Sequence, residues 1–281
     1  MGEWIPLLRE TWAAYQRHNG PWLAAALAYF GAFAVAPLII VLVEIAGFFL
    51  HNHQHVLDVI FTYMHRDLGS GSDAVRQIVT STFDQPRRSL VSQVVGWALF
   101  VFAAVGLFNG LQFALNNAWD AADQKHGVWE TIREKMLGFA MMLVVAALLL
   151  ASVFANAALA TASTYLAHVF SGLGALVQIA DFLITFGLVW LLFALLFRYL
   201  PNARISWSDV RLGAGITALL FTIGQFLIGW YLGRAGLSSA YGAFGSLVAF
   251  LVWTYYTSQI FLFGAEFTHV YAQNHATKAL G

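Results

Sequence analysis

The chain has 281 residues, of which 60% are hydrophobic and 10% are charged, and its mean hydropathy is +0.70. These values lie outside those of soluble globular proteins and predict an integral membrane protein. The 14 basic and 14 acidic residues cancel, so a nucleic-acid partner is not expected, and the absence of cysteine excludes disulfides and thiolate metal sites.

Residues 1–21 are predicted to form a helix at the membrane interface. The large apolar side chains of this helix recur about every four residues, at Trp4, Leu8, Trp12 and Tyr15. Arg9 and Arg17 fall on its polar side. The alternative is an ordinary helix that packs on the rest of the protein. Pro21 suits the first turn of the helix that follows.

The first predicted span covers residues 22–50. Pro37 lies in its middle, where the ring and the missing N–H are expected to kink or break the helix. Glu44 follows one to two turns later, and a carboxylate within a span indicates a functional site because it is costly in lipid. The alternative is a glutamate near the end of the span that reaches the interface.

A small group of polar residues directly after this span resembles a set of metal ligands. His51, His55 and Asp58 would share one face of a helix, and such ligands suit Zn²⁺. They are a weak candidate, because a polar collar at the membrane boundary is the simpler interpretation. We therefore expect neither a metal nor a cofactor.

Two short amphipathic helices are predicted between residues 56 and 89, where apolar residues recur at helical spacing. The second span covers residues 90–118. Its later turns carry four amides: Asn109, Gln112, Asn116 and Asn117. Such amides suit either the lining of a hydrated cavity or hydrogen bonds between helices.

Four further spans are predicted, at 136–162, 173–200, 209–232 and 242–270. Residues 274–281 form a C-terminal tail. Polar groups within or near these spans are Asp181, Gln225, Gln259 and Glu266. Asp181 lies only about two turns from the end of its span, so an interfacial position is the alternative to a functional one.

Basic residues set the predicted orientation. With the N-terminus inside, nine Lys and Arg residues fall on the inner side and five on the outer side, which places both termini in the cytoplasm.

The segment between the fourth and fifth spans is predicted to form an entrance for an anionic head group, through Arg198, Asn202, Arg204 and Arg211. Positive-inside topology alone also explains these arginines.

Several stretches of the sequence share the pattern of one family. They are RYLPNARISWSDVRLGAGITALLF (198–221), YLGRAGLSSAYGAFGSLVAFLVWTYY (231–256) and FLFGAEF (261–267), with looser matches at Ala25–Gly47 and Leu111–Asp120. Together they resemble the YihY/virulence factor BrkB family, although Ala34 stands where a serine is expected.

The resemblance implies a bacterial inner-membrane protein with six spans. It leaves the activity open, because the family was once labelled a tRNA-processing ribonuclease and has since been linked to serum resistance and to export of lipid-like molecules.

The sequence thus predicts an all-α membrane protein that acts as a transporter or exporter of an anionic or lipid-like substrate. The predicted substrate pathway consists of Pro37, Glu44, Asn109, Gln112, Asn116, Asp181, Gln225, Gln259 and Glu266. Membrane lipids and a second copy of the chain are the expected partners. The alternative is a membrane scaffold without transport activity. A metal-dependent intramembrane enzyme is less favoured, because HExxH, GxSxG and phosphate-loop motifs are absent from the sequence.

Overall fold

The computed structural model describes residues 4–50, 53–68, 71–83, 90–121, 174–203, 205–234 and 245–280, with five isolated positions between 140 and 151. Over these residues the fold is all-helical, as predicted. The helices are α1 (Trp4–Arg17), α2 (Gly20–Leu50), α3 (His53–Leu68), α4 (Gly71–Phe83), α5 (Leu90–Ala118), α6 (Gly174–Tyr199), α7 (Trp207–Arg234) and α8 (Gly245–Leu280).

Three of the described helices are long and apolar enough to cross a membrane, in the segments Phe182–Tyr199, Trp207–Tyr231 and Gly245–His275. α2 has a shorter apolar segment, Gly20–Val35. This helix continues through Pro37 to Leu50, so the expected break is absent, because the proline removes one hydrogen bond while those on either side remain. Most of the predicted third span lies outside the described residues, and the count of six spans stays a prediction.

α7 and α8 cross through two glycine–threonine pairs of identical spacing, Gly213 with Thr217 and Gly264 with Thr268. Each threonine hydroxyl donates to the carbonyl of the glycine four residues earlier, at 2.7 Å. Each threonine side chain also fills the space that a Cβ on the other helix's glycine would occupy. Both threonines are fully buried. The two backbones therefore approach closely, and a larger residue does not fit between them.

α6 joins this pair of helices through aromatic packing. Phe193 and Phe197 of α6 contact Phe261 of α8, with ring centroids 6.1 and 5.4 Å from it. All three rings are buried. Phe193 also contacts Phe221 of α7, with ring centroids 5.6 Å apart, so burial of these rings packs α6 against the α7–α8 pair.

α1 packs on the bundle along one face and exposes large apolar side chains on the other. Leu7 and Ala14 contact Phe267 and Val270 of α8. The exposed apolar residues are Trp4, Ile5, Leu8 and Trp12. Both interpretations of this helix therefore describe part of it: one face packs on the protein, and the other has the composition expected at a membrane interface.

Tyr15 holds α1 in place. Its ring is buried and fills the space beside Gly20, where a Cβ would overlap it. Its hydroxyl donates to Gln259 Oε1 at 3.2 Å. Burial, with smaller contributions from Tyr255 and Glu266, raises the pKa of Tyr15 to about 12. The phenol therefore stays neutral and keeps its proton for the hydrogen bond.

The two predicted short helices, α3 and α4, form a second core with the later part of α2 and the start of α8. The buried side chains of this core are Ile39, Val43, Leu57, Phe61, Val75, Val79 and Phe250. Leu57 and Phe61 recur at i, i+4 on α3, and Val75 and Val79 do so on α4, which is the spacing that gives each helix one apolar face.

Replacing Gly264 by alanine should destabilise the bundle. The new Cβ would overlap the Thr217 side chain, and overpacking of this kind costs about 1–3 kcal/mol. We expect a lower thermal unfolding midpoint for Gly264→Ala in lipid nanodiscs. The matched control is Gly187→Ala on α6, where a Cβ meets nothing within 4 Å among the described residues. Equal midpoints for the two variants would show that the α7–α8 contact is not tight.

Replacing Tyr15 by phenylalanine should change how stability depends on alkaline pH. Because the folded pKa of about 12 exceeds the unfolded value of about 10, the neutral phenol contributes stability fully below pH 10 and loses it as pH rises towards 12. The unfolding midpoint of Tyr15→Phe should therefore fall less than that of the wild type over this interval. Tyr29→Phe, at an exposed position, should follow the wild type. A parallel decline in all three proteins would contradict the burial of the Tyr15 hydroxyl.

Candidate functional site

Four parts of the chain meet at one end of the bundle, which we call the junction end. They are the α1–α2 turn at residues 18–19, the end of α5 at residues 116–121, the α6–α7 connection at residues 200–203, and the later turns of α8 from Glu266. Asn117 Nδ2 donates to the His18 carbonyl at 3.1 Å, and the Asn202 N–H donates to Asn116 Oδ1 at 2.7 Å. These bonds join the first three parts, and the contact of His18 with Glu266 joins the first to α8.

Two residues with positive φ shape this end. Asn19 (φ 55°) separates α1 from α2, and Asp120 (φ 50°) follows the last turn of α5. The Ala121 N–H returns to the Asn116 carbonyl at 2.8 Å, the bond that closes a Schellman cap. Asn and Asp tolerate the left-handed region better than most residues. The turn at Asn19 places the neighbouring His18 side chain, and the cap at Asp120 places the Asp120 side chain. The two side chains therefore lie close together at the junction end.

Glu266 is the buried acid at the junction end. Its side chain is 4% exposed, and its Oε1 lies 2.7 Å from His18 Nδ1. Its Oε2 has no hydrogen-bond partner among the described residues. The carboxyl group thus has one strong contact, from Oε1 to the histidine of the α1–α2 turn, while Oε2 has no hydrogen-bond partner among the described residues.

The contact continues towards the surface through two further side chains. His18 Nε2 lies 3.5 Å from Asp120 Oδ1, and Asp120 Oδ2 lies 3.6 Å from His269 Nε2. The exposed fraction rises from 4% at Glu266 to 18% at His18 and 69% at Asp120. We call His18, Asp120, Glu266 and His269 the acid–histidine cluster. It connects a buried carboxyl group to the surface of the protein.

The amides at the end of α5 serve largely as links between helices. Asn116 accepts from Asn202, and Gln112 Nε2 donates to Asn202 Oδ1 at 3.4 Å. Asn109, one turn earlier than Gln112, is exposed. The structure therefore brings Gln112, Asn116 and Asn202 together, while Asn109 lies apart from them on the surface.

The arginines of the predicted head-group entrance meet at Trp207. The Arg198 guanidinium lies over the Trp207 ring, 5.8 Å from its centroid, and Arg211 Nε donates to the Trp207 carbonyl at 3.3 Å. The Arg211 carbonyl in turn accepts from Trp190 Nε1 at 3.0 Å. Arg204 lies outside the described residues.

A groove of about 550 Å³ lies between α1, α7 and α8. Its walls are mainly apolar, and its lining is Trp12, Tyr15, Leu220, Ile223, Gly224, Leu227, Ile228, Val252, Tyr255, Tyr256, Gln259, Ile260 and Phe263. Ile223 and Leu227 are about half exposed, so the groove opens sideways between α7 and α8. The Tyr15–Gln259 hydrogen bond lies on its lining beside α1. Gln225, one residue beyond Gly224, is partly buried and is not part of the lining.

The other predicted positions contribute no described contact to these sites. Glu44 lies on α2 and Asp181 lies on α6, but the side chains of both are not among those that the structure describes. His51 is outside it altogether, His55 is described only as part of α3, and Asp58 is exposed. Within the described part of the chain, no group of three or more His, Asp or Glu side chains is arranged so that it could hold a metal ion. The pathway, entrance and metal assignments made from the sequence stay predictions.

Sequence reasoning missed the partners of Glu266. The sequence pattern assigns no role to His18, and Asp120 is only the last residue of the loosely matching stretch Leu111–Asp120. The available signal was the position of these two residues at helix ends. His18 comes directly before Asn19, and Asp120 is itself a residue type that tolerates positive φ. Such turns place side chains at the rim of a bundle, where other helix ends meet.

Comparison with known proteins gives one family. The model of the family described as "Virulence factor BrkB" matches residues 11–280. Among individual proteins, a UPF0761 membrane protein of Actinobacillus pleuropneumoniae serotype 5b (strain L20) is 24% identical over 269 residues, covering 94% of this chain and 91% of the relative. One from Tolumonas auensis is 26% identical over 92% of this chain and 82% of the relative.

A third relative is longer. The UPF0761 membrane protein of Pseudomonas aeruginosa (strain LESB58) is 30% identical over 252 residues, which are 88% of this chain and 58% of the relative. No solved structure matches significantly. The names of the relatives agree with the apolar helices described above. The resemblance stated from the sequence is confirmed: the chain is a membrane protein that belongs to the Virulence factor BrkB family.

Proposed function

We propose that the protein is a transporter of an amphiphilic, lipid-like substrate in the bacterial inner membrane, with both termini in the cytoplasm. The observation that supports this most is the groove between α1, α7 and α8, because it is apolar, opens sideways and has polar groups near α1. A water-soluble substrate would not reach a site whose opening faces the bilayer, whereas the acyl chain of a lipid already lies in the bilayer.

The dimensions of the groove suit an acyl chain in one leaflet. Its lining on α8 runs from Val252 to Phe263, eleven steps along the helix, which correspond to about 16 Å. The hydrocarbon core of a bilayer is about 30 Å thick, so one leaflet contributes about 15 Å. A single acyl chain would therefore fill the groove along its length.

The polar groups lie where a head group would be. Tyr15 and Gln259 line the groove beside α1, whose exposed face carries Trp4 and Trp12. Tryptophans of this kind mark the membrane–water interface. Arg198 and Arg211 lie on helix ends of the α6–α7 connection, which reaches the same end of the bundle, and they support a substrate with an anionic head group.

Narrowing the groove should slow transport while the protein stays folded. Leu227 lines the groove and is 53% exposed, so Leu227→Trp adds volume to the space proposed for the acyl chain. In proteoliposomes of phosphatidylethanolamine and phosphatidylglycerol, we expect the wild type to accelerate transbilayer movement of a fluorescent phosphatidylglycerol. Leu227→Trp should reduce that rate by about tenfold, equivalent to about 1.4 kcal/mol.

Two controls are needed to attribute a slower rate to the groove. Leu219→Trp makes the same change on α7 at a position that is 50% exposed and outside the groove lining, and it should keep the wild-type rate. Thermal unfolding of each variant shows that the loss does not come from misfolding. If the folded wild type moves neither anionic nor zwitterionic lipid probes, or if Leu227→Trp moves them as fast as Leu219→Trp, the groove is not a lipid pathway.

A further inference from the structure

The acid–histidine cluster is not explained by a groove for an acyl chain. We propose that Glu266 is a proton-binding site that exchanges protons with the aqueous phase through His18 and Asp120. The proposal does not depend on transport, because proton binding is measurable with no substrate present.

The geometry provides a continuous path for the proton. Asp120, 69% exposed, meets water and lies 3.5 Å from His18 Nε2. The opposite ring nitrogen, Nδ1, lies 2.7 Å from Glu266 Oε1. A histidine whose two nitrogens contact two different carboxylates is arranged to accept a proton on one side and release one on the other.

The transfer step balances without any other reactant. A proton from water, received at the Asp120 side, forms an N–H bond at His18 Nε2. The N–H bond at Nδ1 then breaks, and its proton forms an O–H bond at Glu266 Oε1. The ring is then left with its proton on Nε2, and the net change of this inward transfer is one proton added to the buried carboxyl group. The first tautomer is restored by rotation of the ring, or when Glu266 later releases its proton along the same path.

The surroundings of Glu266 distinguish this site from a fixed ion pair. A permanently charged, buried carboxylate is stabilised when both oxygens accept hydrogen bonds. Here Oε1 has one contact and Oε2 has none among the described residues. This arrangement suits a group that alternates between charged and neutral forms.

Titratable groups reach Glu266 from several elements. α1 contributes Tyr15 and Arg17, the α1–α2 turn His18, and the end of α5 Asp120. α8 itself carries His269, which contacts Asp120, and Tyr255 on the groove side. α7 packs against this part of α8 with Gly213 and Thr217, which do not titrate. Arg17 is a permanently charged cation among these groups.

The position of Glu266 relates proton binding to the groove. Gln259 and Glu266 are seven residues apart on α8, so they lie on nearly the same face, about 10 Å from each other. Gln259 lines the groove and holds Tyr15. If the transport proposal is also correct, a proton at Glu266 lies directly behind the polar end of the substrate site.

The test is infrared difference spectroscopy of the whole protein in nanodiscs after a rapid downward pH step. We expect a carboxylic-acid carbonyl band that is absent from Glu266→Gln and retained in Glu10→Gln, a glutamate at an exposed position on α1. Its rate of appearance should fall by about tenfold or more in His18→Gln, since the shuttle between water and Glu266 is then missing. His275→Gln, an exposed histidine, should leave the rate unchanged.

Asp120→Asn provides a second test of the same path if His18→Gln does not fold. Asp120 is exposed and has positive φ, which asparagine also tolerates, so this variant should fold and should slow the band by about threefold. If His18→Gln unfolds, the Asp120→Asn rate decides. A band that persists in Glu266→Gln, or an unchanged rate in every folded variant of His18 and Asp120, would overturn the proposal. Lipid movement plays no part in this measurement, so failure of the transport proposal would leave its result intact.

Discussion

The contact on which the described structure depends is the crossing of α7 and α8. Gly213 with Thr217 and Gly264 with Thr268 form a reciprocal pair in which each threonine occupies the space beside the other helix's glycine. Lipid offers no hydrophobic driving force between helices, so close backbone approach and side-chain packing have to hold them together. The intrahelical bonds of the threonine hydroxyls satisfy the polar atoms that such packing buries.

This crossing fixes the position of both candidate sites. Glu266 is two residues from Gly264 and two from Thr268, so it lies on nearly the opposite side of α8 from the α7 contact. There it meets His18 of the α1–α2 turn. In the other direction along α8, Gln259 and Tyr256 line the groove, with Gly224 of α7 opposite Tyr256. One rigid helix pair therefore carries an apolar groove and a buried acid, and α1 closes over both through Tyr15 and His18. A small movement of α1 would change the two sites together.

The sequence predicted much of the fold because apolar runs of bilayer length and helical periodicity are local signals. It predicted the helical class, the two short helices before α5, and Gln259 and Glu266 as polar positions near a span. It could not predict that His18 meets Glu266 across 248 residues, because no local pattern encodes a contact between helix ends so distant along the chain. The Gly–Thr pairs were overlooked for a related reason, since each has a role only when the other helix is in place. The four amides of α5 show the same limit: cavity lining and interhelical bonding require the same residue types, and the contacts of Asn202 favour bonding.

The central claim is that Glu266 is buried against His18 at the junction of α1 and α2. Magic-angle-spinning NMR of the protein in lipid bilayers, with ¹⁵N-labelled histidine and ¹³C-labelled glutamate, tests it most directly. A through-space cross peak between a histidine ring nitrogen and a glutamate carboxyl carbon, absent from Glu266→Gln, is the predicted result for two groups in hydrogen-bond contact. If no such peak is present in the folded protein, or if the peak remains after the substitution, then α1 does not close on α8 as described here.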